Sequence, residues 1–246
     1  MQEDHNIVRS PKSFNSQIGV PLSVWQMNEQ HDLAIFEAGI SQQGEMLRLE
    51  KIIQPTIGIL TNIGEAHNEG FIDADHKFRE KLSLFRNTEV LIGREIDFTG
   101  REEYIEMLGE DLKLLTWGSS EKNKFIVRSI EKNSETTSIT LFYNAEEKRF
   151  TIPFTDDASI ENSITCCCLL LHLGIAGDVI KKRMQKLQPV NMRLEMKKGV
   201  NQCTIINDSY SVDLSSFEIA LNFLGQQSGG IKKNSYHFRF SPIRHK

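Results

Sequence analysis

The stretch LAIFEAGISQQGEMLRLEKIIQPTIGILT, residues 33–61, contains two short apolar runs on either side of a helical pattern. Runs of the length of residues 33–36 and 56–61 suit strands that are covered on both faces. Between them, Glu45–Ile53 has its apolar residues at the spacing of an amphipathic helix. The stretch therefore predicts a βαβ unit.

The same alternation continues along the chain, with helical patterns at residues 78–85 and 102–108 and apolar strands at 89–92 and 112–117. Alternating strands and helices build a parallel sheet that carries helices on both faces. We therefore predict an α/β fold, with a doubly wound and mostly parallel sheet flanked by helices.

A period of two replaces this pattern between residues 124 and 154, where Phe125, Val127 and Ile130 alternate with polar residues. This spacing predicts a small antiparallel β insert. Helical spacing returns afterwards, with Ser159 as the candidate N-cap. The remaining predicted elements are helices at 159–173 and 178–187, a strand at 203–206 and a helix at 215–223.

The composition of the 246 residues, of which 39% are hydrophobic, supports one substantial core and one main domain. A formal net charge of -4 gives no basic field for nucleic acid, so no nucleic-acid partner is expected. The sequence has no apolar run long enough to cross a bilayer and no apolar amino-terminal stretch, so we predict a cytoplasmic protein without a membrane partner. Cys166, Cys167 and Cys168 are consecutive in an apolar stretch, which indicates reduced core cysteines and leaves metal binding as the alternative.

Polar side chains follow the first two predicted strands. Glu37 follows the first strand, and Asn62, Glu65 and His67 follow the second. Loops at the carboxyl ends of neighbouring parallel strands share one crevice, where carboxylate, amide and imidazole donors could complete a magnesium or manganese shell. The alternative is that these groups are solvated, and that Lys81 is an exposed helix lysine paired with its neighbours.

Over residues 15–221 the chain resembles the central domain of the Mur ligases. The resemblance points to the branch that adds D-alanyl-D-alanine to a UDP-N-acetylmuramoyl tripeptide, in the form that some bacteria fuse to an alanine racemase. Residues 10–22 (SPKSFNSQIGVPL) are similar to the substrate-side segment of that branch. This likeness implies substrate contacts at Asn15 and Ser16.

The resemblance also assigns a magnesium site. Residues 36–39 (FEAG) are similar to the family's magnesium-binding glutamate motif, which implies that Glu37 is a metal ligand. Asn62 and His67 are similar to the family's Asn and His pair, and Lys81 falls where the family carries a carbamylated lysine, whose modification turns an ammonium into a carboxylate-like ligand. The resemblance thus implies that Glu37, His67 and Lys81 hold Mg²⁺, that Lys81, His67 and Asn62 are catalytic, and that the three metal ligands converge at the carboxyl edge of the sheet.

The nucleotide site follows in the same way. Asn162 matches an adenine-contacting asparagine, Arg193 matches an arginine near the nucleotide, and Asp208 matches the aspartate that holds the ribose. One departure is that Ala158 and Ser159 stand where the family has a histidine and an asparagine. The resemblance implies ATP as cofactor and a second cluster of these three residues.

The implied activity is ATP-dependent formation of an amide bond, with the UDP-N-acetylmuramoyl tripeptide and D-alanyl-D-alanine as the substrates. Two alternatives remain open at this stage. One is a catalytically silent domain that binds a nucleotide or a partner, and the other is a ligase of the folylpolyglutamate synthase kind, which has the same architecture.

The ends of the sequence carry a further expectation. The family's glycine-rich phosphate loop is expected just upstream of Asn6, and the nearest imitation, at residues 225–232 (GQQSGGIK), misplaces the lysine and follows a helix. We expect residues 1–230 to form the central ATPase domain without this loop, and 231–246 to be an atypical tail in place of the family's third domain. Residues 1–246 alone are accordingly expected to lack ligase activity.

Overall fold

The computed structural model describes residues 1–63, 70–190, 194–200, 203–209 and 214–226. The chain divides into two compact units, Met1–Gln188 and Pro189–Lys246. In chain order, the helices and strands are β1 (Ile7–Arg9), α1 (Gly19–Val24), β2 (Leu33–Ile35), α2 (Glu45–Ile53), β3 (Ile57–Leu60), α3 (Ala74–Leu82) with a 3-10 turn (Ser83–Phe85), β4 (Val90–Arg94), α4 (Glu95–Phe98), α5 (Glu102–Glu106), β5 (Lys113–Gly118), β6 (Phe125–Lys132), β7 (Thr137–Tyr143), β8 (Glu146–Ile152), α6 (Asp157–His172), α7 (Gly177–Met184), β9 (Glu195–Lys198), β10 (Thr204–Asn207) and α8 (Leu214–Gln226).

The first unit is built on a six-stranded sheet in which β3 to β8 lie in chain order. Strands β3, β4, β5 and β6 pair in parallel, and β6, β7 and β8 pair antiparallel. The predicted antiparallel insert is therefore confirmed, and it continues the parallel sheet through β6.

Both faces of the parallel part are covered. Val90 and Ile92 of β4 belong to a core that includes Ile164 of α6. Leu91, between them, belongs to a second core with Phe78 of α3. Because successive residues of a strand point to opposite faces, β4 is buried on both sides, as the doubly wound prediction requires.

The first predicted βαβ unit is wrong in its pairing. Among the described residues β2 pairs in parallel with β1, and β3 pairs with β4 in the larger sheet. Ile35 of β2 is 46% exposed, so this strand is not covered on both faces. Four apolar residues are enough to predict a strand, but they do not identify its neighbours. Helix α2 has the predicted bounds, and it buries Met46 and Leu49 against Val20 of α1.

Helix α6 begins two residues earlier than the predicted start, and Ser159 is not its cap. The side chain of Asp156 accepts a hydrogen bond from the Ser159 backbone N–H at 2.8 Å, which makes Asp156 the N-cap. Farther along the helix, Cys167 and Cys168 are buried and free. Burial raises the pKa of the Cys168 thiol well above its ordinary value, so the thiol form is favoured, in agreement with a reduced core cysteine. Cys166 is exposed, so the predicted core position is wrong for that residue.

The second unit contains an antiparallel pair, β9 and β10, in which Thr204 is opposite Lys198 and Asn207 is opposite Glu195. Helix α8 follows in the chain. The predicted strand at 203–206 and helix at 215–223 are both present with slightly different bounds. The predicted tail, residues 231–246, lies outside the described residues. Within the described ranges, no helix combines the length and the apolar composition needed to cross a bilayer.

Candidate functional site

Glu37 lies directly after β2, and the loop that follows β1 holds it in place. The Asn15 side-chain amide Nδ2 donates a hydrogen bond to Glu37 Oε1 at 2.9 Å. The Glu37 backbone N–H donates to Ser10 Oγ at 3.2 Å, and the Ser10 N–H donates to the Ile35 carbonyl at 3.1 Å. Strands β1 and β2 are parallel, so their following loops meet at one sheet edge. The structure therefore joins a predicted substrate residue to a predicted metal ligand.

Gly39 allows these two loops to approach closely. Its backbone N–H donates to the Asn15 carbonyl at 2.7 Å, and a Cβ atom at Gly39 would lie 3.1 Å from Asn15 Cγ. That distance is shorter than ordinary carbon–carbon contact, so a larger residue would push Asn15 away. The glycine of the FEAG segment thus has a packing reason that the sequence alone does not show.

Ser16 lies three residues before the first residue of α1, Gly19. Its hydroxyl oxygen accepts a hydrogen bond from the Gly19 N–H at 3.1 Å, and its carbonyl accepts one from the Val20 N–H at 3.0 Å. The first N–H groups of a helix need such partners. Ser16 is exposed, and its substrate contact stays a prediction.

Lys81 and Asn62 are brought together. Lys81 Nζ, on α3, donates to the backbone carbonyl of Asn62 at 2.6 Å, and Asn62 follows β3. The contact places the amine at the carboxyl end of a parallel strand, where α/β sheets bind their ligands. The sequence predicted both residues at the site, but not that Asn62 would contribute its carbonyl.

Burial lowers the pKa of the Lys81 amine to about 8; the nearby charge of Lys77 lowers it further, while Asp97 raises it. With this pKa about 10% of the amine is neutral at pH 7, against roughly 0.03% for an ordinary lysine. Only the neutral amine is a nucleophile, so Lys81 is suited to react with carbon dioxide and form a carbamate.

Glu80 connects α3, the helix that carries Lys81, to α2. Its Oε1 accepts a hydrogen bond from the Met46 backbone N–H at 3.1 Å, and both residues are buried. Met46 lies in the first turn of α2, whose N–H groups favour a carboxylate. In the sequence, Glu80 lies between Arg79 and Lys81 and looks like a solvated helix charge, so sequence reasoning missed it.

Asn162 is exposed on α6, and the residue before it anchors that helix. Glu161 forms an ion pair with Arg94 at the end of β4, and Arg94 Nε also contacts Asp97 Oδ2 at 3.2 Å. Burial raises the pKa of the Glu161 carboxyl, and Arg94 opposes this rise. The charge of Asp97 also raises the pKa of Lys81. The group formed by Arg94, Asp97 and Glu161 therefore connects α6 with the surroundings of the lysine. No motif in the sequence indicates it.

In the second unit Asp208 connects β9 and β10 at the end of the pair where β9 begins and β10 ends. Its Oδ1 accepts a hydrogen bond from the Leu194 backbone N–H at 3.0 Å. Leu194 precedes β9 with a left-handed φ of 45°, and Asp208 follows β10. The carboxylate therefore ties together the two outer ends of the pair. Arg193, the neighbouring nucleotide candidate, lies outside the described residues.

The magnesium site stays a prediction. His67 lies outside the described residues, and within those residues no three His, Cys, Asp or Glu side chains form a metal-binding group. The donor types fit magnesium, since Glu37 offers a carboxylate and Lys81 would offer a second one as a carbamate, whereas an ammonium would repel the ion. Among the described residues no hydrogen bond joins the Asn15–Glu37 pair to the Lys81–Asn62 pair, and the convergence of Glu37, His67 and Lys81 stays a prediction.

The fold is that of a doubly wound α/β domain with polar side chains at the carboxyl ends of its strands, where such domains bind their ligands. The chain belongs to the Mur ligase family, because residues 2–170 match the Mur ligase middle domain. The family resemblance found in the sequence is thereby confirmed.

Individual relatives agree with this assignment. The UDP-N-acetylmuramoyl-tripeptide–D-alanyl-D-alanine ligase of Bacillus subtilis is 26% identical over 232 residues, which are 93% of this chain and 49% of the relative. A crystal structure of MurF from Acinetobacter baumannii has a TM-score of 0.82 at 24% identity, covering 94% of this chain and 50% of that one. MurF from Thermotoga maritima in complex with ADP has a TM-score of 0.75 at 18% identity, covering 91% and 51%. These two structures support the fold. The chain spans about half the length of the relatives that it matches.

Proposed function

We propose that residues 1–230 form the central ATP- and magnesium-binding domain of a cytoplasmic amide-bond ligase. The ligase would join D-alanyl-D-alanine to a UDP-N-acetylmuramoyl tripeptide in peptidoglycan synthesis. Membership of the Mur ligase family supports the class of reaction, and the name of the Bacillus subtilis relative supports the substrates.

One observation carries the proposal, which is the environment of Lys81. The amine is half-buried, has a pKa of about 8, and donates to the Asn62 carbonyl at the end of β3. An exposed lysine of ordinary pKa would be a poor candidate for carbamylation, whereas this amine combines the required nucleophilicity with a fixed position. This environment supports Lys81 as the counterpart of the family's modified lysine.

The proposed reaction begins when the tripeptide carboxylate attacks the γ-phosphorus of ATP, which forms an acyl phosphate and releases ADP. The amine of D-alanyl-D-alanine then attacks the acyl phosphate, the new amide bond forms, and inorganic phosphate leaves. Protein groups contribute mainly position and charge compensation in such phosphoryl transfer. A bound magnesium ion supplies charge compensation for the phosphate oxygens.

We assign the individual roles as follows. Glu37, His67 and carbamylated Lys81 would hold the magnesium ion, and Asn62 would keep the Lys81 side chain at the sheet edge. Asn15 and Ser16 would lie on the substrate side.

Three further residues would contact the nucleotide, namely Asn162 at the adenine, Asp208 at the ribose and Arg193 nearby. The Arg94–Glu161 ion pair supports the first of these roles, because it anchors the helix that carries Asn162. The Asp208 carboxylate is held by the Leu194 N–H, which gives it a defined position in its own unit.

The test uses a chimera in which this chain replaces the matching part of the Bacillus subtilis ligase. Release of inorganic phosphate is measured with ATP, Mg²⁺, the UDP-muramoyl tripeptide and D-alanyl-D-alanine. We expect turnover that requires both substrates, and loss of turnover in Lys81→Ala. Residues 1–246 alone should show no turnover, because they contain no G-x-x-x-x-G-K-[ST] phosphate loop.

Lys122→Ala, which changes an exposed lysine of the same unit, is the matched control and should retain turnover. A folded chimera that binds nucleotide without turning over would indicate the catalytically silent alternative. Turnover by Lys81→Ala at the parental rate would remove Lys81 from the site. Substrate-dependent turnover by residues 1–246 alone would mean that another group in this chain binds the phosphates of ATP.

A further inference from the structure

Asn15 contacts the segment that follows β2 at two points. Its side-chain Nδ2 donates to Glu37 Oε1 at 2.9 Å, and its backbone carbonyl accepts from the Gly39 N–H at 2.7 Å. The two contacts lie on either side of Ala38. One residue from the loop after β1 therefore contacts both the backbone that follows Glu37 and the Glu37 carboxylate itself.

Asn15 is itself well placed to act as a rigid donor. Its backbone N–H donates to the Ser13 carbonyl at 2.8 Å, and the hydroxyl of the next residue, Ser16, accepts from the N–H of Gly19, the first residue of α1. The Asn15 side chain is half-buried, whereas Glu37 is exposed. The fixed partner in this pair is the amide, and the partner that would otherwise sample several rotamers is the carboxylate.

The hydrogen bond uses one carboxylate oxygen and leaves the other available. In the described part of the chain Glu37 Oε2 accepts no hydrogen bond, while Oε1 is bound to the amide. A divalent cation can bind a carboxylate through a single oxygen. The amide therefore orders the side chain without competing for the oxygen that a cation would take.

We infer that Asn15 is a positioning residue for Glu37, and that it presents Oε2 of the carboxylate to a divalent cation. The inference rests on the proposed function, since it takes Glu37 as a metal ligand. It goes beyond the substrate role that the resemblance implies for Asn15, because it applies in the absence of any substrate. Loss of a hydrogen-bonding partner of a metal ligand typically costs about 10- to 100-fold in metal affinity.

The experiment measures Mn²⁺ binding to residues 1–246 by electron paramagnetic resonance of the free ion, without nucleotide or substrate. The test variants are Asn15→Leu, which keeps the size and removes the donor, and Asn15→Ala. Asn15→Gln keeps an amide on a longer side chain. The matched control is Asn87→Leu, because Asn87 donates to Glu50 Oε1 at 2.7 Å in another part of the same unit. Glu37→Gln tests the metal ligand itself, and thermal unfolding identifies variants that fold.

We expect Asn15→Leu and Asn15→Ala to weaken Mn²⁺ binding by about 10- to 100-fold. Asn15→Gln should recover part of the loss, and Asn87→Leu should bind as the parent does. Parental affinity in a folded Asn15→Leu or Asn15→Ala variant would overturn the positioning role and leave Glu37 as a ligand. Failure of both variants to fold would also overturn it, because Asn15 would then be a structural residue. If the parent chain binds no Mn²⁺, the metal site and this inference are both overturned. The same holds if the Glu37→Gln variant binds Mn²⁺ with the affinity of the parent.

Discussion

The unusual environment of Lys81 predicts a characteristic pH dependence of its reactivity. The chain is treated with an amine-acylating reagent at pH values from 7 to 9. With a pKa of about 8, the neutral fraction of Lys81 rises from about 10% to about 90%, which is a tenfold increase that then levels off. The neutral fraction of a lysine with a pKa of 10.5 rises from roughly 0.03% to 3%, a hundredfold increase without a plateau.

The assay is competitive acylation with a trace of reagent, followed by mass spectrometry of the lysine peptides. At pH 7 Lys81 should have a neutral fraction about 300 times that of an ordinary lysine, with its labelling reduced to the extent that burial hinders the reagent. The shape of the profile does not depend on that hindrance. A Lys81 profile that rises a hundredfold between pH 7 and 9, parallel to the surface lysines, would show that the pKa of Lys81 is not lowered.

The same shift has a consequence for stability. The folded pKa lies below the ordinary 10.5 of an unfolded chain, so folding penalises the protonated amine. The penalty is fully present below pH 8 and is relieved as the pH rises from 8 to 10.5, because the unfolded state then binds more protons than the folded state. In Lys81→Met this contribution to the pH dependence should disappear, which denaturant unfolding at several pH values would detect.

Substitutions at three further positions test the packing around the site, each by denaturant unfolding. Glu80→Met should cost about 1–3 kcal/mol because the buried Met46 N–H loses its acceptor, whereas Glu80→Gln should cost less. Equal stability of these two variants would contradict the hydrogen bond. Arg94→Met should lower the free energy of unfolding by about 1–3 kcal/mol, because Glu161 loses its cation in a half-buried position. This is less than the roughly 3–5 kcal/mol expected when a fully buried ion pair is broken. No loss would show that the pair is solvated. Ile164→Ala should cost about 2–5 kcal/mol, since Ile164 is fully buried in the core under α6, and a smaller cost would mean that the core relaxes around the cavity.

Periodic features of the fold could be predicted from the sequence. Helix α2 has the predicted bounds of Glu45–Ile53, because its apolar residues repeat at the helical period and its ends are polar. The short elements β1 and α1 were not predicted, since three residues of strand and a helix with Pro21 in its first turn give no usable period. The pairing of β2 with β1 likewise depends on which segments meet in space.

The residues of the candidate site also divide into those that a sequence pattern predicts and those that only the tertiary structure identifies. Glu37 and Asn62 were predicted as site residues because each follows an apolar run, and polar residues at the carboxyl ends of strands often bind ligands. The strands that precede them, β2 and β3, lie in different sheets, which the sequence did not indicate. Lys81 required the family resemblance, because a lowered pKa comes from tertiary burial, which a helical charge pattern does not encode. The contacts made by Asn15 and Glu80 connect residues 22 and 34 positions apart, and no local sequence signal indicates such contacts.

We propose that Glu37 and Lys81 belong to one magnesium site at the carboxyl ends of the strands that precede them. The measurement that tests it most directly is a crystal structure of residues 1–246 with Mn²⁺ and bicarbonate, in which anomalous scattering locates the metal. The expected result is one anomalous peak within coordination distance of the Glu37 carboxylate and of a carbamylated Lys81. An unmodified Lys81 that points to the opposite side of the sheet from Glu37, or a metal bound elsewhere, would contradict the claim.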